Sequence, residues 1–88
     1  MIFLATGTFT IAQESRPDPS NENHVAQALY EAGCITAAYL KDDGTGIVLV
    51  INSDSAEAAH ELIQSFPFVE DGVLKFDVAP VHSLFASR

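Results

Sequence analysis

Eighty-eight residues make one domain, small enough that its net stability is expected to be only about 4–13 kcal/mol. Twelve carboxylates against four bases, Arg16, Lys41, Lys75 and Arg88, leave a net charge of −8, which sets the chain against nucleic acid and against anionic membrane surfaces, since both attract clustered Lys and Arg. The single cysteine, Cys34, excludes an internal disulfide. Apolar residues make up 48% of the chain, more than one small core uses, so part of that surface is expected to meet another subunit.

The opening run from Met1 to Gly7 has no basic stretch and is too short for a secretory signal. No apolar stretch reaches the roughly 20 residues of a membrane helix, and a cytoplasmic location is the expectation. Ile2 to Ile11 alternates as a strand, with Phe3, Ala5, Gly7, Phe9 and Ile11 on one face and Ile2, Leu4, Thr6, Thr8 and Thr10 on the other. Two prolines break the pattern before a helix over 19–33, capped by Asp18 or by Ser20. Its apolar stripe reads Val25, Ala28, Leu29 and Ala32, and Gly33 is placed to end it.

A second strand over 34–41 is joined to a third over 46–52 by the turn Asp42-Asp43-Gly44-Thr45. Asp54, with Glu57 three residues on, opens a second helix over 54–66, whose stripe is Ala59, Leu62, Ile63 and Phe66 and which Pro67 stops. A fourth strand over 73–80 puts Leu74, Phe76 and Val78 on one face and Lys75 and Asp77 on the other.

The order β-α-β-β-α-β, with right-handed crossovers, places both helices on one face of a four-stranded antiparallel sheet. This is the ferredoxin-like α+β arrangement, with the first and third strands central. Those are the two strands with apolar residues on both faces, an independent agreement. The face without helices then needs cover, because exposed apolar area costs roughly 25 cal/mol per Å². Two copies packed sheet against sheet would supply it, so the expectation is a homodimer or a higher homo-oligomer. The tail over 81–88, with Val81, Leu84 and Phe85, is expected to dock on a partner or on the rim of such a barrel.

The segments Leu29-Tyr30-Glu31-Ala32-Gly33-Cys34-Ile35, Ser55-Ala56-Glu57-Ala58-Ala59, Ser65-Phe66-Pro67-Phe68-Val69 and Asp77-Val78-Ala79-Pro80-Val81 resemble YCII-related and muconolactone isomerase-like proteins. Arg16-Pro17 followed by His24 stands where YCII-related proteins carry an Arg-Pro segment and a first-helix histidine, whereas Phe66-Pro67-Phe68 looks closer to the muconolactone isomerase-like branch. The resemblance implies a dimeric α/β barrel, with a small-molecule pocket between sheet and helices or inside the barrel.

His24, beside the helical stripe, is the candidate proton-transfer group. Tyr39, alternating with Ala37 and Ile35, is a candidate catalytic residue that would orient a substrate carbonyl or carboxylate. Arg16 is the candidate anchor for a substrate's negative charge, and the hydroxyls of Thr6 and Thr8 are candidate ligand contacts. His60 and His82 are too scattered to make a metal site, and no phosphate loop, nucleophile elbow or dinucleotide fingerprint calls for a cofactor. The expected function is small-molecule binding with isomerase- or lyase-like proton transfer on an acidic or lactone-like substrate. A non-catalytic binding module that uses the same pocket, and a purely structural partner protein, stay open beside it.

Overall fold

Ile2–Phe9 forms β1, which the sheet order β2-β3-β1-β4 places at a central position beside β3 (Gly46–Asn52). The edges are β2 (Ile35–Leu40) and β4 (Leu74–Val81), and every pairing is antiparallel. This computed structural model describes residues 1–85.

Residues directly opposite one another in an antiparallel pair point to the same face, so the register defines both faces. One face carries the rows Ile35–Ile51–Phe3–Pro80, Ala38–Leu49–Ala5–Val78 and Leu40–Ile47–Gly7–Phe76. Against it pack Val25, Ala26 and Leu29 of α1 (Ser20–Glu31) and Ala59, Leu62 and Ile63 of α2 (Ala56–Gln64), joined by Phe66. The opposite face carries Ala37–Val50–Leu4–Ala79 and Tyr39–Val48–Thr6–Asp77, and among the described residues no helix covers it. The ferredoxin-like βαββαβ arrangement with both helices on one face is therefore the observed one.

Several local expectations are corrected. The α1 stripe is rotated: Ala28 and Ala32 are exposed and Ala26 faces the core. Asp18 accepts both the Ser20 amide (3.1 Å) and the Ser20 hydroxyl (2.8 Å) just ahead of the helix, which starts at Ser20. Ser55 rather than Asp54 caps α2, its hydroxyl accepting the Ala58 N–H at 3.1 Å. α2 ends at Gln64, two residues short of the expected 66, and Pro67, rather than stopping it, occupies the first position of a short α3 (Pro67–Glu70), where a missing N–H costs nothing. A further single 3-10 turn spans Gln13–Ser15.

Gly33, with φ of 82°, ends α1 as expected. The Cys34 and Gly33 amides donate to the Leu29 and Tyr30 carbonyls, the paired bonds of a Schellman ending. Gly7 answers to a different need. A Cβ there would lie 2.7 Å from Cε1 and 2.8 Å from Cζ of Phe76, whose ring sits 6.3 Å from that of Phe66. Gly7→Ala is expected to push this ring out of its slot and to lower stability by about 1–3 kcal/mol, the usual cost of overpacking, as read by urea denaturation. An unchanged midpoint would mean that the ring shifts freely.

Candidate functional site

Where α1 begins, the chain leaves an open cleft of about 560 Å³, within the size range of small-molecule sites. Leu40 and Ile47 supply its wall from the helix-bearing face of the sheet, Phe9 and Phe68 add aromatic surface, and Arg16 and Glu22 bring charge.

Glu22 is only 7% exposed, which is unusual for a carboxylate. It lies three, four and seven residues before Val25, Ala26 and Leu29, so it belongs to the buried stripe of α1, one turn ahead of its apolar members. Its Oε1 accepts the Phe68 N–H at 2.9 Å. That amide is one of the first-turn donors of α3 that have no partner within their own helix, so Glu22 caps α3 from another element. Its Oε2 is buried and has no hydrogen-bond partner among the described residues. Burial raises the Glu22 pKa above its ordinary 4.5, the Phe68 hydrogen bond opposes the rise, and the negative charge of Asp71 adds to it. The side chain thus keeps its proton to a higher pH than a surface glutamate does.

Arg16 is half-buried, with its guanidinium carbon 3.6 Å from the centre of the Phe9 ring. Its Nε donates to the Ile11 carbonyl at 3.2 Å, the one hydrogen bond of its side chain among the described residues. Its two terminal nitrogens are left for an anion, and a guanidinium can hold a carboxylate in bidentate fashion.

The structure places the other sequence-derived candidates elsewhere. His24 is exposed and is not among the residues lining this cleft. Tyr39 is 64% exposed and pairs with Val48, in the row that includes Thr6 on the sheet face without helices. A β-bulge between Ile35 and Ala37 shifts the register, so Tyr39 and Ile35 fall on opposite faces. Thr8 is also on the uncovered face, paired with Gly46 and Lys75. Arg16 and Glu22 therefore line one cleft, and His24, Tyr39, Thr6 and Thr8 are not among its lining residues. Glu22 was missed because its charge reads as a solvated helix position. The signal for it was its spacing from Val25, Ala26 and Leu29.

Fold and cleft together define a ferredoxin-like α+β domain with a small-molecule-sized site at one end of its helix-bearing face. No protein-family model and no curated protein matches the chain. Among solved structures it is similar to muconolactone isomerase, at 18% identity and a TM-score of 0.80 over 99% of this chain and 94% of that one. It is also similar to the 5-chloro-2-hydroxyhydroquinone dehydrochlorinase TftG of Burkholderia phenoliruptrix AC1100 in complex with 2,5-dihydroxybenzoquinone, at 19% identity and a TM-score of 0.66 over 93% and 94%. At these identities the likeness is one of fold. It agrees in fold with the muconolactone isomerase part of the sequence resemblance, and no family model bears on the YCII-related part. Among the described residues no helix is long and apolar enough to cross a membrane.

Proposed function

We propose that the cleft at the start of α1 is a small-molecule site for an acidic or lactone-like substrate, where Glu22 moves a proton and Arg16 meets the substrate's negative charge, giving isomerase- or lyase-like chemistry. One observation carries this reading: a buried carboxyl with one oxygen bonded and the other without a partner among the described residues lines the same cleft as a guanidinium whose terminal nitrogens make no hydrogen bond among those residues. A single acid–base group is chemically sufficient. Moving a proton between two carbons on one face of a substrate needs one carboxyl, which takes the proton from the first carbon and returns it to the second. The proton-transfer role thus passes from His24 to Glu22. The fold neighbours, an isomerase and a dehydrochlorinase, act on small molecules by name, which agrees with this class. We propose in addition that two copies pack their uncovered sheet faces together.

The test uses 2,5-dihydroxybenzoquinone, an acidic planar compound, as a binding probe, and muconolactone, which carries both lactone and carboxylate, as a trial substrate. The protein is expected to bind the probe, and Arg16→Ala to weaken that binding about 10- to 100-fold, the loss of a charge-assisted bidentate contact. Equal binding by the two proteins would remove Arg16 from the site. The non-catalytic reading predicts binding with no deuterium uptake by muconolactone in heavy water, whereas proton transfer predicts uptake that depends on Glu22.

A further inference from the structure

We infer that Phe9 is a positioning residue for this site, holding the Arg16 guanidinium in register with the Glu22 carboxyl; the inference rests on the proposed role of Arg16. A long arginine side chain has many rotamers, and fixing it costs entropy at the moment of binding unless it is already held. Here it is held at two points. Its Nε is tied to the Ile11 carbonyl at 3.2 Å, and its guanidinium carbon lies 3.6 Å from the Phe9 ring centre. Neither contact occupies the terminal nitrogens. A cation over an aromatic face is attracted by the ring's quadrupole, more strongly where water is partly excluded.

The ring is fixed in turn. Phe9 is the last residue of β1, and its amide donates to the Thr45 carbonyl at 3.0 Å. Its ring meets Phe68 edge-on, centroids 6.4 Å apart at 69°, and packs against the buried cluster of Phe68, Val73 and Leu74. Phe68 is the residue whose N–H holds Glu22. A continuous set of contacts therefore runs from Arg16 through Phe9 and Phe68 to Glu22, so the cation and the acid–base group share one rigid support. A ligand held by Arg16 would thus be anchored on the same packed contacts that hold Glu22, the kind of fixed placement that proton transfer requires.

The experiment compares full-length Phe9→Leu and Phe9→Tyr with the parent and with Arg16→Ala, titrating 2,5-dihydroxybenzoquinone after denaturation curves have confirmed folding. Phe9→Leu is expected to weaken the probe about three- to thirtyfold, and Phe9→Tyr, which keeps an aromatic face, to bind within about twofold of the parent. Fluorinated phenylalanines placed at position 9 alone keep the ring's shape and drain its face of charge. Binding should fall stepwise with fluorination, and this series decides the matter if Phe9→Leu does not fold. If Arg16→Ala leaves binding unchanged, the reading of the site on which the inference rests is itself wrong. If Arg16→Ala weakens binding but Phe9→Leu and the fluorinated series do not, the site stands and the role of Phe9 is overturned. Equal losses in Phe9→Leu and Phe9→Tyr would likewise reduce Phe9 to packing.

Discussion

Replacing Glu22 with Gln is expected to slow deuterium exchange into muconolactone by about 10²–10⁴-fold, the usual contribution of a general acid–base group, while the protein stays folded. The amide keeps an oxygen that can accept the Phe68 N–H, so the cap on α3 survives. What disappears is the ability to take up and release a proton. In the parent, exchange should rise with pH through the Glu22 pKa, at a pH above the ordinary 4.5, because removing a proton from carbon needs the carboxylate.

Stability gives a second, independent readout of the same group. The folded-state pKa is raised, so below the ordinary value both folded and unfolded chains hold the proton and burial of the carboxyl carries no charge penalty. As pH rises from that value toward the raised one, the unfolded chain loses its proton first and the folded state loses relative stability; above the raised pKa the loss is constant. Glu22→Gln has no such loss. Its midpoint temperature relative to the parent should therefore climb as pH rises above the ordinary value and level off beyond the raised one, with about 4–8 °C for each kcal/mol in a domain of this size. A flat difference across that range would mean that Glu22 titrates like a surface carboxylate. Nearly normal exchange in Glu22→Gln would remove it from the chemistry.

The sequence makes the frame of this site legible and hides its centre, for identifiable reasons. β3 is the Ile, Val and Leu run 47–51 with one residue added at each end, and in β4 Leu74, Phe76 and Val78 alternate with Lys75 and Asp77, while β1, apolar on both faces, takes its facing from Phe3 and Ala5 against Thr6 and Thr8. β2 has no such contrast. Thr36, Ala37 and Ala38 are too small and too alike to mark a face, so nothing in the spacing betrays the bulge that turns Tyr39 away from Ile35. The rotation of α1 has the same origin, because alanines at 26, 28 and 32 fit either side of the stripe. That rotation is what brings Glu22 inside. The contact that gives it a purpose, with the Phe68 amide 46 residues away, depends on a one-turn helix begun by a proline that also reads as a stop. Arg16 was legible as a rare cation, but its stacking on Phe9 was not, since it depends on how the loop after β1 folds back.

On the proposed pairing of two uncovered sheet faces, Val50→Asp is expected to leave a 9.4 kDa monomer where the parent pairs. Val50 lies in the row Ala37–Val50–Leu4–Ala79 on the sheet face without helices, and in the single chain it is half-buried while Ile2 and Leu4 are 44% and 37% exposed. An aspartate there can reach water in the free protomer, so secondary structure should be retained at a cost of about 1 kcal/mol in strand preference. In a face-to-face dimer the same carboxylate would be shut away without a partner, which typically costs about 3–5 kcal/mol or more and weakens association at least 10²- to 10³-fold. Salt should act in the opposite direction on the parent. Each chain carries −8, so two copies repel one another, and raising ionic strength screens that repulsion and should tighten the dimer. Sedimentation of both proteins at low and high salt reads all of this at once. A parent that sediments as a monomer at micromolar concentration, or a Val50→Asp protein that still pairs, would show that the uncovered face is not where two copies meet.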